Sequence, residues 1–200
     1  MMKRIFDILF SLVVLIFFSP LFLSVAIAIK IGSKGPVFYL SPRVGKQERT
    51  FKCWKFRTMC QGADSLLTEM LKNPVTKEEF GTYAKLKKDP RITKVGKWLR
   101  KTSLDELPQF WNVLKGDLSV VGPRPFLVEE VGNHLGSRKK KILSLRPGIT
   151  GLWQTSGRSS LTFEERVFLE ERYVEVHSFV LDLFLICKTI PLVLRTKGAF

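Results

Sequence analysis

The sequence predicts a helix-dominated α+β fold carried on an N-terminal membrane helix, with amphipathic interfacial helices and one small β-hairpin. Three observations predict it. Ile8 to Ile29 is an apolar run whose only polar side chains are Ser11, Ser19 and Ser24. Val37 to Leu40 and Thr50 to Met59 read as the two strands of a hairpin. Most of the remaining chain carries helix starts and helical periodicity, as in Thr93 to Lys101 and Thr162 to Tyr173.

The apolar run is long enough for a bilayer, roughly 33 Å as a straight helix at about 1.5 Å per residue. No small-residue cleavage site precedes the basic segment, which disfavours a signal peptide. Lys3 and Arg4 lie before the run, and Lys30, Lys34, Arg43 and Lys46 after it. The positive-inside bias therefore pulls both ends to the cytoplasm. Pro20 lacks an N–H and clashes with the Ile16 carbonyl, so a kink is expected, with the Ser19 hydroxyl serving the freed carbonyl. A kinked helix that enters and leaves by one face satisfies both flanks, and it sets Asp7 at the membrane surface, within reach of a basic group, rather than in hydrocarbon. An ordinary single span also fits the run.

Pro42 to Gly45 is expected as the hairpin turn. Lys55 and Arg57 lie two apart in the second strand, on one face, where they converge on phosphate or form a solvated basic face. Residues 60–88 are polar and weakly patterned, broken at Asn73-Pro74, and read as a variable insertion or lid. Thr93 caps a basic amphipathic helix with Val95, Trp98 and Leu99 on one face and Arg100 among its cations. Phe126 to Leu145 is helical, with a solvated run from Arg138 to Lys141. Gly-rich Arg146 to Arg158 lets a ligand approach backbone, and Trp153 offers it a ring face. Thr162 and Glu165 form a capping box. Phe179 to Leu194 is apolar but holds Asp182, costly in hydrocarbon, and is expected to lie at an interface.

The chain is organised around Thr102 to Pro125. Adjacent Asp105 and Glu106 precede an apolar segment from Leu107 to Leu114, a turn at Lys115 to Asp117, a strand from Leu118 to Val121, and a rigid Gly122-Pro-Arg-Pro125. Carboxylates, arginine and constrained backbone so close together point to phosphate handling. Ser103-x-x-Glu106 equally fits a helix capping box. The two readings are compatible, because helix N-termini also hold phosphate.

Thirty-three Lys+Arg against eighteen Asp+Glu give a net charge of +15 and point to an anionic partner. No nucleic-acid motif accompanies that charge, which disfavours nucleic acid as the partner. The three cysteines have neither C-x-x-C spacing nor an even count, which argues against disulfides and zinc.

Across nearly its whole length the sequence resembles the bacterial sugar transferases, the small monotopic phosphoglycosyl transferases. The resemblance is carried by Lys3-Arg-x-x-Asp7, Ser19-Pro20, Gly35-Pro-Val-Phe38, Lys55-Phe-Arg-Thr-Met59 and Asp89-Pro-Arg-Ile-Thr93. It continues through Thr102 to Pro108, Gly116-Asp-Leu-Ser119, Gly122 to Pro125, Arg146 to Gly151 and Ser156-Gly-Arg158. Pro42 stands where the family commonly has Gln, and His177 matches no assigned role.

The resemblance implies transfer of a phospho-sugar from a nucleotide diphosphate sugar, usually a UDP-sugar, to undecaprenyl phosphate, with release of UMP. Asp105 would be the covalent nucleophile and Glu106 its partner, with both carboxylates available to Mg²⁺. Arg100, Arg124 and Arg158 would contact phosphate or nucleotide, joined by Lys55 and Arg57. Residues 1–31 would form a re-entrant helix bent at Ser19 and Pro20. Residues 32–200 would form the catalytic domain, with an interfacial helix over 173–195, on the cytoplasmic face of the bacterial inner membrane. Membrane lipids would be partners, with self-association or downstream glycosyltransferases open. The product would start a glycan such as exopolysaccharide, capsule or O-antigen.

Overall fold

A bend at Ser19-Pro20 divides the N-terminal run into α1 (Met2–Phe17) and α2 (Ser19–Gly32), whose axes differ by 60°. The Ile16 carbonyl, which has no N–H to accept at Pro20, takes the Ser19 hydroxyl at 2.8 Å. No single described helix is long and apolar enough to cross a membrane; the bent pair meets that length and composition only together. The structure, a computed structural model, describes residues 2–83, 86, 88–157 and 161–194.

The hairpin pairs β1 (Phe38–Val44) with β2 (Thr50–Phe56) antiparallel, Phe38 opposite Phe56 and Val44 opposite Thr50. The expected turn at Pro42 to Gly45 does not form, because Pro42, Arg43 and Val44 belong to β1. The reversal falls at residues 45–49, where Gln47 and Glu48 take positive φ. The hairpin is a two-stranded sheet, so β1 tolerates a proline that a central strand would not.

The 60–88 segment contains α3 (Ala63–Met70) and α4 (Pro74–Tyr83), and α3 buries no side chain. Next, α5 (Lys94–Thr102) starts at Thr93, whose hydroxyl accepts from the Gly96 amide at 2.9 Å. Any Cβ at Gly96 would lie 1.9 Å from the Thr58 carbonyl oxygen, so glycine is what lets α5 sit on this strand exit. After α6 (Gln109–Lys115), β3 (Ser119–Val121) pairs in parallel with β4 (Gly148–Thr150). Three short helices, α7 (Val128–His134), α8 (Lys139–Ile142) and α9 (Leu152–Ser156), lie before and after β4 in the chain. The chain then runs through α10 (Phe163–Val176), opened by the Thr162–Glu165 capping box, and α11 (Phe179–Leu194). Helix α10 thus ends before α11 begins, rather than one helix running on from residue 173.

The central core joins Cys53 of β2, Val113 of α6, Val120 and Val121 of β3, Tyr173 of α10 and Leu185 of α11. A second cluster packs Val25 and Ile29 of α2 on Phe56 and Leu99. Polar side chains fasten α1 to the body. Asp7 is buried in the protein, and its hydrogen bonds go to β3 rather than to a basic side chain: it accepts the Ser119 hydroxyl at 2.8 Å and the Val120 amide at 3.1 Å. Arg4 donates to the Val113 and Leu114 carbonyls, the latter at 2.9 Å. Lys3 pairs with Asp182, which also accepts the Tyr173 hydroxyl at 2.6 Å, so this carboxylate inside an apolar helix is buried but fully paired.

Candidate active site

The two acids are set by an abrupt end to α5. Ser103 takes a left-handed conformation, φ 57°, and the chain turns directly into a single 3₁₀ turn, Leu104–Glu106. The capping box expected from Ser103 and Glu106 is not formed. Ser103 closes the preceding helix instead, and its carbonyl, not its hydroxyl, accepts the Glu106 amide. Leu104 packs into the cluster beneath α2 and α5 and anchors the turn.

Asp105 and Glu106 consequently occupy different environments. Asp105 is 8% exposed, and burial, followed by the negative charge of Glu106, pushes its pKa up to about 6. Lys55 and Arg100 oppose that rise without cancelling it. Glu106 receives Lys55 Nζ at 2.6 Å. Burial alone would raise Glu106, but the charge and hydrogen bond of Lys55, with Arg124 and Arg43 behind, bring it below the ordinary carboxylate range. Lys55 in turn would be lowered by burial and is raised on balance by the two acids.

Of the remaining residues expected here, Arg100 extends from α5 and donates from Nε to Thr58 Oγ1 at 3.0 Å. Arg124 has its guanidinium carbon 5.4 Å from the Trp153 ring centroid and Nη2 3.4 Å from Glu130 Oε1. Arg57 lines the same cavity as Lys55, with its guanidinium committed to backbone carbonyls. Its guanidinium binds the Lys34 carbonyl and, at 2.9 Å, the Ser33 carbonyl, tying the end of α2 to the hairpin. Arg158 lies outside the described residues.

Lys55, Arg100, Asp105, Glu106 and Arg124 line one cavity of about 1760 Å³. Its lining also includes Phe10, Val14 and Phe18 from the α1 end and Ile186, Ile190 and Val193 from α11. Carboxylates, cations and an apolar lining thus share one space, suited to a ligand with charged and hydrocarbon parts. Arg43, on the cavity side of β1, and Arg166, on α10, were not singled out from sequence. The alternation of Tyr39, Ser41 and Arg43 along β1 was the available signal for the former. Nothing local marked the latter.

Among the described residues no group of three or more His, Cys, Asp or Glu could enclose a metal. A divalent ion here would have Asp105 and Glu106 as protein ligands and would need phosphate oxygens for the rest. Mg²⁺ commonly binds in that way, so the donor set fits it.

The family model and the relatives the chain matches define it first as an enzyme of the transferase class. More narrowly, it belongs to the bacterial sugar transferase family, whose model matches residues 1–196. It is 45% identical over 199 residues to the exopolysaccharide production protein ExoY of Sinorhizobium fredii, covering 99% of this chain and 88% of that one. It is 42% identical over 200 residues to the undecaprenyl-phosphate galactose phosphotransferase of Salmonella typhimurium, matching 100% of this chain and 42% of the longer protein. The UDP-glucose:undecaprenyl-phosphate glucose-1-phosphate transferase of Klebsiella pneumoniae is 39% identical over 205 residues, covering 99% of this chain and 41% of its own length.

Proposed function

We propose that this chain transfers a sugar phosphate from a UDP-sugar to undecaprenyl phosphate through a covalent intermediate on Asp105. The observation that carries this reading is the split dyad. Asp105 is desolvated and basic for a carboxylate, whereas the adjacent Glu106 is held ionised by Lys55. A desolvated carboxylate is a stronger nucleophile than a hydrated one, and with a pKa of about 6 it is mostly ionised at pH 7.5.

In the first half-reaction an Asp105 oxygen attacks the phosphorus that bears the sugar. The bond from that phosphorus to the bridging oxygen breaks, and the nucleoside monophosphate leaves with the electron pair. In the second, a phosphate oxygen of the lipid attacks the same phosphorus and returns Asp105 as carboxylate. Arg100 and Arg124 stabilise charge on the phosphoryl oxygens. Glu106, fixed by Lys55, keeps a neighbouring negative charge that adds to the effect of burial in making Asp105 basic. Asp105 and Glu106, together with substrate phosphate, would hold Mg²⁺, which when bound would further neutralise those oxygens.

The enzyme would work on the cytoplasmic face of the bacterial inner membrane. Exposed Leu9, Val13 and Ile16 on α1, Leu23 and Ile27 on α2, and Phe184 on α11 support burial in lipid, and the 60° bend supports a re-entrant helix. Both basic flanks then share one side. Names of relatives that include UDP-glucose, undecaprenyl phosphate and exopolysaccharide production support the donor class, the acceptor and a role in starting glycan assembly. A panel of UDP-sugars with undecaprenyl phosphate, read by UMP release, tests the reading. One donor should give acceptor-dependent turnover; no release with any sugar would oppose it.

A further inference from the structure

The cavity holds more positive charge than the dyad uses. Arg43 of β1 donates from Nη1 to the Pro125 carbonyl and from Nε to Ser41 Oγ, both at 3.2 Å. Its anchor is therefore the residue next to Arg124. Arg166 of α10 donates from Nε to the Leu161 carbonyl at 3.1 Å, and its guanidinium carbon lies 5.2 Å from the Trp153 ring centroid. Arg124 lies 5.4 Å from that same ring. All three arginines and Trp153 line the cavity.

The carboxylates near these three cations, Glu106 and Glu130, are fewer than the cations, and Glu106 is already paired with Lys55. Among the described residues, the single ion pair made by any of the three is Arg124 with Glu130, at 3.4 Å. Glu170 is buried beside the Arg124 backbone, but burial pushes its pKa up to about 8, which leaves it mostly protonated at neutral pH. Burial and the charge of Arg124 both lower the pKa of Arg43 and of Arg166. Like charges gathered in a cavity disfavour one another, and an anion placed among them relieves that cost. A guanidinium offers five N–H donors, and Arg43 and Arg166 commit only a few of theirs to protein.

We propose that Arg43, Arg124 and Arg166, arrayed about Trp153, form one phosphate-binding site of the cavity. The inference rests on the phosphoryl-transfer reading above and extends it to Arg43 and Arg166, which anchor phosphate rather than react. The shared ligand chemistry is a phosphate group. Its source is either the diphosphate of the nucleotide sugar or the monophosphate of the lipid.

Binding to the full chain in lipid nanodiscs separates these sources without requiring turnover. The probes are UDP and a short-chain polyprenyl monophosphate, titrated against wild type, Arg43→Gln and Arg166→Gln. Each variant should lose about tenfold in affinity, the scale of a charge-assisted hydrogen bond, for one of the probes, with its melting temperature retained. Loss confined to UDP assigns the donor diphosphate; loss confined to the lipid assigns the acceptor phosphate. Affinity for both probes within twofold of wild type in both variants would overturn the site. Where a glutamine variant does not fold, the lysine variant at that position decides, with at least a threefold loss expected because charge stays but the fork is gone. Wild-type UMP release beside unchanged variant binding would sink the site alone. Variant loss of binding without UMP release from any UDP-sugar would sink the transferase reading alone.

Discussion

Lys55 Nζ binds Glu106 Oε1 at 2.6 Å and leaves Asp105 without a direct cationic partner among the described residues. The two adjacent acids are thus divided: Lys55 holds Glu106 ionised, while burial, followed by the charge of Glu106, leaves Asp105 the more basic of the two.

The first consequence is a pH profile. Asp105 must be deprotonated to attack, so single-turnover UMP release should fall as pH drops through about 6. Lys55 also lowers the pKa of Asp105, so Lys55→Met should move that acid limb to higher pH. A variant that loses rate with an unmoved acid limb would remove Lys55 from this role.

Stability should respond in the same pH window. The folded pKa of Asp105 is about 6 against an ordinary 3.8, so the folded state holds the proton more tightly than the unfolded chain. Native stability is then lost as pH rises from about 4 to 6, by up to about 3 kcal/mol for a shift of about two units. Asparagine cannot ionise. Asp105→Asn should melt above wild type at pH 7.5, with the difference shrinking toward pH 4. An Asp105→Asn protein melting several degrees below wild type at pH 7.5 would contradict the burial argument.

Asp7 ties α1 to the strand that leads into Arg124. Asp7→Asn keeps shape but leaves one of two acceptor oxygens replaced by a donor facing the Val120 amide or the Ser119 hydroxyl. The expected cost is about 1–3 kcal/mol, measured as a lower melting temperature in nanodiscs, with a smaller change for Asp7→Glu. An unchanged melting temperature would show that the bonds contribute nothing net.

Local chemistry was legible in the sequence wherever one residue type dictates backbone geometry. Pro20 announced the bend and Ser19 its compensation; Thr93 and the Thr162–Glu165 pair announced two helix starts. What was not legible depends on partners far along the chain. Asp7 reads as an acid awaiting a basic partner because its actual donors lie far along the chain, at Ser119 and Val120. Ser103 mimics a cap because its left-handed φ, which makes it a helix terminus, is not marked by a glycine. Pro42 suggests a turn unless the strand is known to lie at a sheet edge. Within the site, Asp105, Glu106, Lys55, Arg100 and Arg124 all reach the cavity. Lys55 and Arg57, on one face by spacing, both line it, but Lys55 meets Glu106 while Arg57 is held by the Ser33 and Lys34 carbonyls.

The bend makes a topological prediction. Ser19→Ala with Pro20→Ala restores the backbone donor to the Ile16 carbonyl and removes the ring clash, so α1 and α2 should merge into one straight helix. A cysteine placed at position 2, protected from an impermeant reagent outside intact cells in the parent protein, should become reactive in a fraction of the double variant. Labelling of the parent at that position would contradict the re-entrant reading.

The covalent step is tested most directly by trapping. Wild-type protein incubated with its UDP-sugar, without lipid acceptor, and quenched in acid should gain the mass of one sugar phosphate on the peptide containing Asp105. Addition of undecaprenyl phosphate before the quench should remove it, and Asp105→Asn should never acquire it. A wild-type enzyme that turns over fully yet shows no adduct, or an Asp105→Asn enzyme that releases UMP at the wild-type rate, would contradict the account.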